Sequence, residues 1–277
     1  MCMRVESLHI YPVKSTAATD VAWADVLPHG LSGDRRWLVV EASGEQVTAR
    51  EHPRLLAAKV VQAPESILLT ARDMPDLTVV TPDNGPPMDA VVWGTAFPVA
   101  DAGDEAATWF SRLIDKPVRL VYQFDATSRP ITKPSALPGE VVSAADAFPV
   151  LLASTSSLAM LNEWVAARRV EEGEPDTGPL SMRRFRPNIV MSGGDPFAEA
   201  DWDRVRIGGL LFRMTIECKR CVMTTVDPDT CERGKEPLRS LARHRRRDGG
   251  VWFAVNMIPM ESGTLKVGDA VVVESTR

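Results

Sequence analysis

Short apolar runs, each cut off within a few residues by Pro, Gly, Asp or Asn, fill much of this 277-residue chain. Runs of that length suit strands joined by turns better than amphipathic helices, so the chain is expected to be mainly β with a few helices, an α+β arrangement. The clearest case is residues 211–218, where Phe212, Met214, Ile216 and Cys218 alternate with Arg213, Thr215 and Glu217. A period of two belongs to a strand with one face buried. Gly208-Gly209 just before it marks a hairpin whose other arm is 205–207.

Further strands are expected at 4–13, at 37–41 and 46–49 about the turn Ser43-Gly44, and at 55–61, 67–70, 77–80, 91–92 and 118–122. Together they read as a β-rich N-terminal domain. Residues 125–138, rich in Pro, Ser, Thr and Ala without periodicity, place a boundary nearby, giving domains 1–123 and 124–277. The second half offers strands at 148–153, 182–186, 251–258 and 266–274. Helical spacing links Ala106, Trp109, Phe110, Leu113 and Ile114 up to Pro117, and again Leu158, Leu161 and Val165 behind the hydroxyls of residues 154–157. A third, short helix is expected behind Pro237.

The chemistry concentrates where the strand 211–218 ends. Parity puts Cys218 among apolar side chains, whereas Lys219-Arg220 breaks the pattern and moves Cys221 into the connection. A thiol beside two cations is expected to favour the thiolate, which is both the nucleophile and the soft metal ligand. A C-x-x-C taken alone fits half a zinc site, a redox dithiol or coincidence equally well. Asp227, first residue of Asp-Pro-Asp, can relay a proton or orient water, or it can simply shape a turn.

Composition narrows the setting. A net charge of −5 gives no overall pull toward nucleic acid, and the basic run 243–247 lacks interleaved aromatics for base stacking, so a solvated face is its ordinary reading. The N-terminus enters strand pattern at once, without the regions of a signal peptide, and no apolar run reaches the roughly 20 residues of a membrane span. A cytoplasmic protein without membrane attachment is expected. Its four cysteines, Cys2, Cys218, Cys221 and Cys231, do not form a secreted disulfide framework and are expected to be reduced.

Residues 218–230, C-K-R-C-V-M-T-T-V-D-P-D-T, resemble the signature of the molybdenum cofactor sulfurase C-terminal (MOSC) domain family, in particular its amidoxime-reducing enzymes and their bacterial relatives. Ile10-Tyr11-Pro12-Val13-Lys14-Ser15, Gly33-Asp34-Arg35-Arg36-Trp37, Arg184-Phe185-Arg186-Pro187-Asn188-Ile189, Lys235-Glu236-Pro237-Leu238 and Val267-Gly268-Asp269 are similar to other landmarks of the family, in family order. The resemblance implies a β-rich N-terminal domain followed by a β-barrel-like MOSC domain. It implies the molybdenum cofactor, in which a pyranopterin dithiolene holds the metal at one end and carries a phosphate at the other. Cys221 would then be the metal ligand and catalytic, with Asp227 the catalytic candidate behind it on its proton-relay reading. Lys14, Ser15, Arg35, Arg186, Asn188, Lys219 and Arg220 would hold the pterin and phosphate.

The reaction so implied is a two-electron reduction of N-hydroxylated substrates such as amidoximes or N-hydroxylated bases. No flavin or iron–sulfur motif is present, so a separate electron-transfer protein, carrying flavin, haem or an iron–sulfur cluster, is implied as donor. One departure is Cys231, which stands where the family usually has glycine, so the turn there lacks glycine's freedom at positive φ. Two alternatives remain at this point. One keeps the cofactor but makes the protein a carrier or sulfur-transfer module. The other is a zinc-binding module using Cys218, Cys221, Cys231 and His244.

Overall fold

A computed structural model describes residues 2–83 and 88–277. Its largest sheet is built from β1 (Arg4–Ile10), β2 (Thr19–Val21), β3 (Val150–Ser154), β4 (Ile189–Ser192), β5 (Trp202–Ile207), β6 (Leu210–Lys219), β7 (Gly250–Pro259) and β8 (Val271–Thr276). They lie in the order β8-β5-β6-β7-β3-β4-β1-β2, with the two-residue strand Arg246–Arg247 added to β7. Every pair is antiparallel except β3 with β4. The sheet curls far enough that Val5 N donates to Asp269 O at 2.8 Å and Gly268 N to Val5 O at 2.8 Å, which brings the first strand back beside the last and makes a half-barrel. Val5, Leu8, Leu152, Ile189, Val205, Phe212 and Met257 fill it. A small sheet of Trp23–Leu27, Gly30–Leu31 and Gly263–Lys266 closes one side. Burying each of these large side chains contributes on the order of 1.5–3 kcal/mol.

The expected strand at 266–274 is two strands, Gly263–Lys266 and β8, because Gly268 turns the chain between them at φ 93°. Residues 4–31 hydrogen-bond into the same body as the C-terminal half, so the large sheet crosses the division of the sequence at 123.

A second core is built mainly from the N-terminal half, with Val226 of the C-terminal half packed into it. The strands Trp37–Val40, Arg119–Tyr122, Thr95–Asp101 and Met88–Val92 form one sheet, and Lys59–Ala63, Ser66–Thr70 and Leu77–Val80 form another. Helix α1 (Asp104–Ile114) lays Trp109, Phe110 and Leu113 on Val39, Leu55, Ile67 and Leu120. Asp104 and Glu105 sit in its first turn, where the exposed amides favour negative charge. Two expectations fail here. Residues 55–61 do not form one strand, because Pro53 starts a 3-10 turn at Pro53–Ala57 before the strand Lys59–Ala63. Residues 46–49 make only an isolated bridge from Gln46 to Val40.

Helices α2 (Thr155–Glu172) and α3 (Leu238–His244) cover the outer face of β3 and β7 through Leu161, Val165, Leu241 and Phe253. The Ser154 side chain caps α2 by accepting from Ser156 N at 3.2 Å, and Gly173 ends the helix in left-handed conformation. Residues 182–186, expected as a strand, instead form a 3-10 turn at Met182–Phe185, capped when Ser181 Oγ accepts from Arg183 N at 3.2 Å. Arg184 and Arg186 therefore do not share a strand face. No helix among the described residues is long and apolar enough to cross a membrane.

Candidate active site

Strand β6 loses its alternation before it ends. Its pairing with β7 slips between Met214 and Glu217 and again between Glu217 and Lys219, and each slip turns the following side chains to the opposite face. Ile216 is thus 41 % exposed while Glu217 is buried, held by Arg245 at 2.5 Å and by Arg247. Cys218, expected as a core thiol, is only half buried. It faces a cleft and accepts from Arg220 Nη1 at 2.9 Å.

That cleft encloses about 390 Å³, and Lys14, Ser15, Arg35, Arg186, Asn188, Lys219, Arg220 and Cys221 all line it. The volume lies in the range of small-ligand and cofactor sites. The cleft lies on the seam between the half-barrel and the N-terminal core. Ser15, Arg35 and Arg186 take left-handed backbone at φ 70°, 49° and 58°, a conformation that costs a non-glycine residue roughly 1–2 kcal/mol and gathers where function over-determines the fold.

Each cation is held differently. Lys14 Nζ donates to Ala144 O at 2.8 Å and to the Asp146 carboxylate; burial, only partly opposed by Asp146, pushes its pKa down to about 8. Arg35 and Arg186 both lie over the ring of Tyr11, at 4.6 and 4.2 Å, and Arg35 also pairs with Asp34 at 2.5 Å. Arg186 Nη1 donates to Thr16 O at 2.7 Å, but its Nη2 is buried without a hydrogen-bond partner among the described residues, as is Arg220 Nε. Burial drives Arg186 down to about 10. Asn188 is a clamp: its Oδ1 accepts from Leu151 N at 3.2 Å and its Nδ2 donates to His9 O at 3.2 Å.

Two residues at this site had no signal in the sequence. Arg50 Nε donates to Cys221 Sγ at 3.2 Å, and Arg50 Nη2 to Asp146 Oδ2 at 2.6 Å. Asp146 is 46 % exposed into the cleft. Although burial alone would raise its pKa, Lys14 and Arg50 hold its carboxyl well below the usual carboxylate range.

Two family descriptions match the chain, the MOSC N-terminal beta barrel domain over residues 2–117 and the MOSC domain over residues 139–272. The mitochondrial amidoxime reducing component 2 of Homo sapiens is 33% identical over 96% of this chain and 82% of its own length. The human mitochondrial amidoxime-reducing component 1 is 35% identical over the same shares of the two chains. The chain belongs to the MOSC family. Among solved structures, the YUAD protein of Bacillus subtilis aligns with 98% of this chain and 94% of its own at 11% identity, with a TM-score of 0.42.

In this MOSC chain Asp227, read from sequence as a catalytic candidate, does not line the cleft. Its Oδ1 accepts from Asp229 N and Thr230 N at 2.9 and 3.0 Å, and its Oδ2 pairs with Arg184 at 2.5 Å. That is the work of a turn residue. Cys231 takes φ 60° in place of the family's glycine, so the loop keeps a left-handed turn there. It packs with Met223 and Val226 against the N-terminal core, and burial pushes its thiol pKa up. The zinc set is not assembled. His244 stacks on Trp164 at 4.2 Å, and the described residues hold no group of three or more His, Cys, Asp or Glu placed to bind a metal. Within the basic run 243–247, Arg243 pairs with Glu171 at 2.6 Å and Arg245 and Arg247 share Glu217, so two carboxylates offset two of its four arginine charges.

Proposed function

We propose that this MOSC protein is a molybdenum-cofactor-dependent reductase of N-hydroxylated compounds, amidoximes and N-hydroxylated bases, supplied with electrons by a separate electron-transfer protein. One observation carries the reading: two thiols, Cys218 and Cys221, share a cleft with seven lysine and arginine side chains and only two carboxylates, Asp146 and Glu217. Such a lining favours an anion that also bears a soft metal. The buried donors left open on Arg186 Nη2 and Arg220 Nε fit a phosphate or a pterin carbonyl. The names of the relatives, amidoxime-reducing components, support the substrate class.

When bound, the cofactor supplies the two-electron chemistry that removes oxygen from an N–O group. The chain's own residues do the rest. Cys221 offers the thiolate ligand. Arg186, Arg35 and Ser15 hold the anionic end, Lys219 and Arg220 flank the thiol, and Asn188 ties β1 to β3 beside the cleft. Each turnover consumes two protons along with two electrons and releases water. Lys14, with a pKa of about 8, holds a proton at Nζ at neutral pH beside Asp146.

The test is elemental analysis of protein made in a host that synthesises the cofactor, beside Cys221→Ser, with benzamidoxime reduction driven by a chemical reductant. Molybdenum in the wild type, its loss in the variant and formation of benzamidine are the expected results. Retention of molybdenum by Cys221→Ser would refute the ligand. Molybdenum without turnover would make the protein a carrier or sulfur-transfer module instead.

A further inference from the structure

The loop that carries Cys221 is fixed at its backbone. Thr224 N and Thr224 Oγ1 both donate to Cys221 O, at 3.1 and 3.0 Å, in the 3-10 turn Val222–Thr225. Met223, Val226 and Cys231 then seat the loop on the N-terminal core. What the backbone leaves free is the rotation of the Cys221 side chain. Only one donor reaches its sulfur among the described residues, and that donor comes from the other half of the chain: Arg50, at 3.2 Å.

Arg50 is itself held on every side. Its Nη2 is anchored on Asp146 at 2.6 Å, its guanidinium lies 4.5 Å over the ring of Trp93, and its carbonyl accepts from Arg233 of the cysteine loop. An arginine fork can serve sulfur and carboxylate at once because its donors are set in one rigid plane; a lysine ammonium at the same place reaches one or the other. We propose that Arg50 is a positioning residue for Cys221, through which the N-terminal domain sets the direction of the sulfur and its donor strength toward the metal. The role in metal chemistry rests on the function proposed above; the contact itself does not. Partners that hydrogen-bond a metal's ligands orient them and tune the metal, and a hydrogen bond to a ligating sulfur draws charge from it and raises the reduction potential.

The experiment compares full-length wild type with Arg50→Met, which keeps the stem and removes the donors, and with Arg50→Lys. In metal-free protein a thermal-melting cycle combines Arg50→Met with Cys221→Ala. The shifts are expected to be non-additive, since the two residues touch; additive shifts overturn the contact whether or not a cofactor binds. In molybdenum-loaded protein the metal's reduction potential is followed by electron paramagnetic resonance. It is expected to fall in Arg50→Met and to recover in part in Arg50→Lys, while kcat with a chemical reductant drops about tenfold and KM holds within a factor of about two. An unchanged potential overturns the tuning role. If Arg50→Met does not fold, Arg50→Lys decides by the same potential. If no protein binds molybdenum, the proposed function fails and the metal-free cycle still judges Arg50.

Discussion

Removing Asp146 tests the charge network under the cleft, because this one carboxylate is shared by Lys14 and by Arg50 at 2.6 Å. In the native protein Lys14 has a pKa of about 8, against about 10.4 unfolded. A lowered lysine pKa means that between these values the unfolded chain holds a proton the native state has given up, so the Lys14 contribution to stability rises with pH across that window. Asp146→Ala deprives Lys14 of its counter-charge and moves its native pKa lower still. At pH 7 the added cost through Lys14 is capped at one pKa unit, about 1.4 kcal/mol, because a lysine already neutral cannot be destabilised further. The lost Arg50 partner adds about 1 kcal/mol, discounted because Asp146 is 46 % exposed. About 2.4 kcal/mol in all corresponds to a Tm lower by roughly 5–10 °C for a chain of this size. Above pH 9 wild-type Lys14 is neutral too, so the gap between the two proteins should narrow to the Arg50 share, roughly 2–4 °C. Thermal melts of both metal-free proteins at pH 7 and 9.5 read it directly. A gap of the same size at both pH values would mean that Lys14 does not depend on Asp146.

Substitutions at three other positions probe how the site and the fold around it are held. Asn188→Ala removes a buried clamp on Leu151 N and His9 O and should cost about 2 kcal/mol in a urea titration of metal-free protein; no shift in midpoint would deny the clamp. Cys231→Val places a β-branched side chain at φ 60° and should lower stability by about 1–2 kcal/mol, whereas Cys231→Gly should stay within about 1 kcal/mol of wild type. Equal stability of the two variants would remove the conformational argument. Gly30→Ala should cost about 2–3 kcal/mol, since Gly30 sits at φ 117° and a Cβ there would lie 2.7 Å from Pro149 O; an unchanged melt would show that Pro149 can give way.

Local pattern was enough wherever a residue's partner lies nearby in sequence. Helix α1 was legible because apolar spacing, acidic first turn and closing Pro117 all belong to one stretch. The hairpin of β5 and β6 was legible because Gly208-Gly209 lies between its arms. The failures share the opposite cause. The slips that turn Cys218 into the cleft come from pairing with β7, some 35 residues away, and leave no mark on β6 itself. The turn at 182–186 is set by Ser181 and Pro187, which a strand-face reading of the arginines overlooked. Arg50 meets Cys221 across 171 residues, and nothing in its own neighbourhood separates it from other surface arginines. Family motifs found eight of the residues that line the cleft; they did not find Arg50 or Asp146.

The seam itself explains why the site needs both cores. Chain segments 11–14 and 34–37 are strapped together by Arg35 N to Tyr11 O at 2.9 Å, Trp37 N to Pro12 O at 3.0 Å and Lys14 N to Trp37 O at 2.7 Å, at the points where the chain passes between the half-barrel and the N-terminal sheet. Ser15 and Arg35 adopt left-handed backbone at those crossings. Tyr11, whose hydroxyl donates to Pro187 O at 3.0 Å, ties the first crossing segment to the stretch that holds Arg186 and carries the guanidinium groups of Arg35 and Arg186 on its ring. Strain of this kind persists only if the structure on each side resists relaxation. Two separate cores meeting at the cleft supply that resistance, so the donors stay aimed into it at the expense of local backbone preference.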